Sequence, residues 1–269
     1  YPSWDVSSEQ GKKEDAERVK LMAQPGPFQE TYGYAYEIRP IGFIYPDFEF
    51  INFEVNKPIY LDKFDELDKF KVKFQGIQEI YHLACPTSPK DFEKLKLQSL
   101  WSNSTAMVNT LDLAVKYHAR YLFTSSAVVY GEDQGRGDRF SEKSLGLVNQ
   151  LSERACYDEG KRFAETCVAT YRQVYGIDAK IARVFTTYGP HMKLFDKQLI
   201  PDFIINAIDG KDLVIYGDES FSTSLCYVSD MINGIARLMG TGPEMSTANI
   251  GGEQAVRYAD VAQMIMKMT

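Results

Sequence analysis

Two residues four apart carry the most legible chemistry in this sequence: Tyr157 and Lys161. On a helix, that spacing puts both side chains on one face, one turn apart. A phenol is a poor base at neutral pH, because its unperturbed pKa is about 10. An ammonium beside it favours the phenolate and is expected to lower that value. Ser126 ends the run RYLFTSS, residues 120–126, which reads as a strand. Its hydroxyl can hold a substrate hydroxyl. Ser126, Tyr157 and Lys161 are therefore the candidate catalytic residues, a proton relay for hydride chemistry on a sugar or alcohol. By itself the spacing is a weak signal, since it also fits a solvated lysine beside a half-buried tyrosine.

The elements that must position these residues follow from periodicity. Residues 48–53, 77–84, 120–126, 179–185 and 213–216 read as strands. Residues 97–118, 155–175, 197–208, 230–239 and 258–268 read as helices, with apolar side chains at helical spacing. Strands alternating with helices imply an α/β fold, a doubly wound parallel sheet with helices on both faces. Residues 1–45 read differently. A short charged helix fits residues 12–23, a Gln-Pro-Gly-Pro breaker follows at 24–27, and residues 32–45 are aromatic and irregular.

The composition narrows the function classes. The chain has 269 residues, 44% of them hydrophobic and 25% charged, which suits a folded core rather than a disordered segment. A formal net charge of −7 argues against a nucleic-acid footprint. No apolar run approaches a membrane span, and no signal peptide is visible, so a soluble intracellular protein is expected. Cys85, Cys156, Cys167 and Cys226 lie far apart, as do His82, His118 and His191, and neither set has metal-ligand spacing.

The run from Arg154 to Arg162 (RACYDEGKR) closely resembles the active-site helix of UDP-glucuronate decarboxylases (UDP-xylose synthases). Those enzymes belong to the extended short-chain dehydrogenases, the NAD-dependent epimerases and dehydratases. Further segments match in order: FEFIN at 48–52, IYHLACPTSP at 80–89, Asn103, SSAVVYG at 125–131, ARVFTTYGP at 182–190 and YVSD at 227–230. The resemblance covers roughly residues 47–268 and implies a Rossmann-like sheet with a small C-terminal substrate lobe. It implies NAD as cofactor, held by Ala84, Pro86, Asn103, Tyr157 and Lys161, with Lys161 on the nicotinamide ribose. It places Thr186 and His191 at the substrate, a UDP-sugar.

The sequence also departs from that pattern. The family opens with a strand, a Gly-x-x-Gly-x-x-Gly turn and a helix. Before residue 76 the glycines are Gly11, Gly26, Gly33 and Gly42, and none has that spacing. The first βαβ unit is thus expected to be missing or replaced. The expected division is a divergent extension at 1–45, a Rossmann-like core at 46–185, and the rest of the core with a partial substrate lobe at 186–269. The decarboxylases carry Ser-Glu where this chain has Ala127 and Val128, and an apolar pair cannot do a carboxylate's acid work. Thr186 replaces an asparagine, and His191, Gln198 and Thr223 replace arginines that face the nucleotide. A hydrogen bond to a charged group contributes roughly 1.5–3 kcal/mol, so UDP-sugar binding is expected to be weakened. The resulting expectation is a catalytically degenerate relative, an accessory or structural subunit with protein partners in a larger assembly. The alternative is an active NAD-dependent nucleotide-sugar decarboxylase or epimerase.

Overall fold

The computed structural model describes residues 55–59, 76–87, 94–131, 139–194, 196–215 and 221–269, all within the unit Val55–Thr269. The expected strand at 48–53 and the readings of residues 1–45 lie outside the described residues.

The principal sheet is built from β1 (Glu79–His82), β2 (Arg120–Ser126), β3 (Ala179–Val184) and β6 (Thr247–Ile250), in that spatial order and all parallel. A smaller sheet joins β4 (Thr186–Tyr188) and β5 (Ser222–Tyr227) in parallel, and β7 (Ala255–Arg257) pairs antiparallel with β5. The helices are α1 (Lys96–Ser102), α2 (Thr105–Tyr117), α3 (Ala155–Tyr175), α4 (Leu199–Ile208), α5 (Val228–Met239) and α6 (Tyr258–Met268).

Alternation along the buried strands decides which helix covers which face. Tyr121, Phe123, Ala179 and Ile181 pack with Met107, Leu111 and Ala114 of α2 and with Ala164 and Val168 of α3. Leu122 and Ala182, one residue out of phase, pack with Leu238 and Met239 of α5. Burying a side chain of this size contributes about 1.5–3 kcal/mol, so both faces drive the layering. A third cluster joins Phe203 of α4 to Val261 and Ala262 of α6. The doubly wound parallel sheet expected from the sequence is what forms.

Two readings of local structure differ. The expected helix over 97–118 is two helices, broken at Asn103 and Ser104. Asn103 leaves helical geometry at φ −99° and ψ 2°, and its Nδ2 donates to Cys85 Sγ at 3.2 Å and to Ser99 O at 2.8 Å. The break seats Asn103 beneath the loop that follows β1. Of the expected strand at 213–216, residues 213–215 form irregular backbone and residue 216 lies outside the described residues. Leu213 and Ile215 pack instead against the cluster around Phe203.

Candidate active site

Helix α3 meets the carboxyl end of β2 through consecutive turns of one face. Tyr157, Lys161 and Glu165 are spaced by four, so they stand in a row. The phenol of Tyr157 hydrogen-bonds with Ser126. Lys161 Nζ donates to Thr124 O at 2.8 Å. Glu165 Oε1 accepts from Ser125 Oγ at 2.6 Å. Three neighbouring residues of β2 are thus each gripped by one turn of α3. Close packing of the helix is possible because residue 160 is glycine: a Cβ there would come within 3.1 Å of Asn103 Nδ2.

Tyr157 and Lys161 are nearly sealed, at 7% and 3% exposure. The Lys161 ammonium lies 4.6 Å from the Phe123 ring centroid and 5.7 Å from that of Tyr157, within range of cation–π attraction. Burial pushes the Lys161 pKa down, while Cys85 and Glu165 work against it. Burial also pushes Tyr157 up to about 12, reinforced by Cys85 and opposed by the Ser126 hydrogen bond. The sequence led us to expect a lowered value. The difference arises because desolvation penalises the phenolate more than its polar neighbours favour it.

The sequence-derived cofactor residues cluster around the same helix. Ala84 is exposed and Pro86 half-buried in the loop after β1. They flank Cys85, which accepts the Asn103 hydrogen bond. Asn103 itself is 1% exposed, and its side chain braces loop to helix. Thr186 begins β4. Ser126 sits opposite Val184 in register, so Thr186 lies just beyond the end of β3 that adjoins the serine. Its Oγ1 is 2.9 Å from Thr223 Oγ1. His191 is exposed in the loop after β4, in left-handed geometry at φ 67°. Ala127 and Val128 begin the 3-10 turn Ala127–Tyr130, whose first N–H to be capped, that of Val128, donates to Ser126 Oγ at 3.4 Å.

Sequence reasoning missed the polar network behind the site. Arg183 donates Nε to Glu165 Oε1 at 2.9 Å and Nη2 to Glu165 Oε2 at 2.7 Å, a bidentate pair. Its Nη1 reaches Tyr130 Oη at 2.9 Å and Glu142 O at 3.0 Å. Tyr130 in turn donates to Asn249 Oδ1 at 2.6 Å and stacks on Phe140 at 4.6 Å between centroids. A charged residue inside the apolar strand 179–184 was the available signal.

His82 lies under the site, 4% exposed, with Nδ1 3.4 Å from Thr110 Oγ1 and its ring stacked on Tyr121. Burial lowers its pKa to about 4, helped by the Lys161 charge and opposed by a hydrogen bond with the Ser102 backbone. The unfolded chain therefore takes up this proton first, below about pH 6.5, and the folded chain only near pH 4. Stability should fall as pH drops through that window, by on the order of 3 kcal/mol from this group. Melting temperatures across the window should show a steeper decline for the native chain than for His82→Gln. Parallel curves would remove His82 as the cause.

The sheet order, with the site at the carboxyl ends of its parallel strands, defines a dinucleotide-type α/β fold. The sequence profile of the NAD dependent epimerase/dehydratase family matches residues 52–251, and the chain belongs to that family. It is 34% identical over 222 residues to UDP-glucuronic acid decarboxylase 1 of Xenopus tropicalis, covering 82% of this chain and 49% of that protein. It is 34% identical over 224 residues to UDP-glucuronic acid decarboxylase 6 of Arabidopsis thaliana, covering 83% of this chain and 60% of that one. The chain thus spans less than two thirds of these curated relatives. Its fold is similar to that of a dTDP-glucose 4,6-dehydratase from Bacillus anthracis in complex with NAD, with TM-score 0.68 and 24% identity over 86% of this chain and 67% of that chain. It is also similar to a UDP-glucuronic acid 4-epimerase from Bacillus cereus in complex with UDP-glucuronic acid and NAD, with TM-score 0.68 and 23% identity over 85% and 68%. Among the described residues, no group of side chains could hold a metal ion and no helix is long and apolar enough to cross a membrane.

Proposed function

We propose that this chain is an NAD-dependent nucleotide-sugar oxidoreductase that acts on a UDP-sugar without removing a carboxylate. The observation that carries this reading is the meeting of Ser126, Tyr157 and Lys161 at one strand end. Ser126 would hold the reacting sugar hydroxyl, and Tyr157 would take its proton. NAD, when bound, supplies the hydride acceptor. The site fits a ribose: Lys161 has three N–H donors, and the acceptor recorded for it among the described residues is Thr124 O. Ribose hydroxyls would satisfy the others. Ala84 and Pro86 would line the same cleft, with Asn103 bracing it, and Thr186 and His191 would lie on the sugar-nucleotide side.

Ala127 and Val128 give the reaction its direction. With apolar side chains directly after Ser126, where the decarboxylases carry Ser-Glu, the ketone formed at the sugar would lack that acid to assist loss of carbon dioxide. Oxidation followed by reduction, an epimerisation, is the outcome this site supports. The weakened contacts at Thr186 and Thr223, which bond to each other, imply a loosely held nucleotide.

A second reading, a catalytically degenerate accessory subunit of a larger assembly, draws on the lack of a Gly-x-x-Gly-x-x-Gly spacing before residue 76, on Ala127 and Val128, and on the residues that replace arginines at His191, Gln198 and Thr223. Calorimetric titration with NAD separates the two. The oxidoreductase reading expects binding at roughly micromolar Kd, about 8 kcal/mol. With UDP-glucuronate added, it expects carbon dioxide release at least about a hundredfold slower than sugar interconversion. Failure to bind NAD would leave the accessory reading standing.

A further inference from the structure

We propose that Ser125, Glu165 and Arg183 are positioning residues that set where the Ser126 hydroxyl lies against Tyr157; this rests on the redox reading above. Ser126 is bracketed on both sides by one polar network. Ser125, immediately before it, is 1% exposed and donates to Glu165 Oε1 at 2.6 Å. Tyr130, which closes the turn immediately after it, is 2% exposed and is bonded to Arg183 Nη1 at 2.9 Å. Glu165 and Arg183 are themselves joined by two hydrogen bonds. A bidentate carboxylate–guanidinium pair fixes direction as well as distance. The strand end and the turn that flank Ser126 are therefore tied to a single rigid unit.

That unit belongs to the helix of the catalytic pair. Glu165 is one turn beyond Lys161, on the face that carries Tyr157. A shift of β2 along α3 that displaced Ser126 would also have to stretch the Ser125–Glu165 bond. Arg183 extends the restraint outward. It also bonds Glu142 O, and Tyr130 bonds Asn249 Oδ1, so β3, β6 and the segment around Glu142 share the register. A misplacement of about 1 Å at a reacting hydroxyl can cost on the order of a hundredfold in rate. The network holds Ser126 against errors of that size.

The test uses the full chain carrying 13Cζ-labelled tyrosine, with the Tyr157 resonance assigned by its loss in Tyr157→Phe. Ser126→Ala removes the hydrogen bond to the phenol and should shift that resonance. Ser125→Ala should shift it in the same direction, Ser125→Thr should restore it, and Ser125→Ala should add nothing once Ser126 is alanine. Where turnover is measured, Ser125→Ala should lower kcat roughly tenfold with little change in KM. A Tyr157 resonance that moves in Ser126→Ala but not in folded Ser125→Ala overturns the proposal. So does an equal further shift in the Ser126→Ala background, or no shift in Ser126→Ala itself. Absence of turnover in the native chain would instead count against the redox reading, and the resonance comparison would still decide the positioning role.

Discussion

Tyr157→Phe is expected to lower turnover by about 10²–10⁴-fold while leaving NAD binding within a few-fold of the native value. The substitution deletes one oxygen from a ring that is 7% exposed and already packed beside Lys161. Volume is conserved, so the fold should be unaffected. What is lost is the oxygen that bonds Ser126 and that is proposed to take the sugar proton. Without ligands, burial pushes that phenol up to about 12, too high for a base at neutral pH. The bound state must therefore lower it. A nicotinamide positive charge and a Lys161 held by ribose would both favour the phenolate. Stopped-flow kinetics and NAD calorimetry on the two proteins check the prediction together. A variant that loses NAD binding as severely as turnover would assign Tyr157 a binding role.

Arg183→Met should be the most damaging substitution for stability, costing about 3–5 kcal/mol. The ion pair with Glu165 is largely sealed, with side-chain exposures of 14% and 12%. Removing one partner leaves a buried carboxylate without its counter-charge. Two further acceptors would change as well, because Arg183 also serves Tyr130 Oη and Glu142 O. Replacing both members, Arg183→Met with Glu165→Met, should recover much of the loss, since an apolar pair of similar volume leaves no orphaned charge. Urea denaturation of the two variants and the native chain measures this. A single variant within 1 kcal/mol of the native chain, a difference of roughly a fivefold equilibrium constant, would show the pair to be solvated.

The parts of this structure that were legible in the sequence are those decided locally. Helix α3 was readable at both ends: apolar residues recur at helical spacing, and Gly176 supplies the left-handed C-cap at φ 67°. Strand β2 was readable because residues 121–123 are an apolar run flanked by polar residues. The break at Asn103 was not readable. Helical periodicity continues through it, and its cause is a bond to Cys85, eighteen residues earlier in the chain. The Glu165–Arg183 pair was hidden for the same reason, since its members meet only after α3 has crossed back onto the sheet. Strands β4 and β5 carry threonines, serines and tyrosines with no clear alternation, and pairing with each other is what makes them strands. At 213–215 the reverse happened: an apolar segment with strand character found its burial against Phe203 without joining a sheet.

The chemical pair itself was legible, but not its electrostatics. Spacing placed Tyr157 beside Lys161 correctly. It could not show that both would be so deeply buried that desolvation outweighs their attraction. The segment that marks the family departs from the decarboxylase pattern at Ala127 and Val128. The proposed relay of Ser126, Tyr157 and Lys161 therefore works beside an apolar pair rather than the Ser-Glu of the decarboxylase pattern.

Its most direct test is a single-turnover experiment: the NAD-loaded chain, in excess, is mixed with a UDP-sugar and the absorbance of reduced nicotinamide is followed. The account predicts a transient of reduced cofactor in the native chain, absent in Tyr157→Phe, with the sugar recovered as its epimer and no carbon dioxide released. No transient from a chain shown to bind both NAD and the UDP-sugar would contradict it.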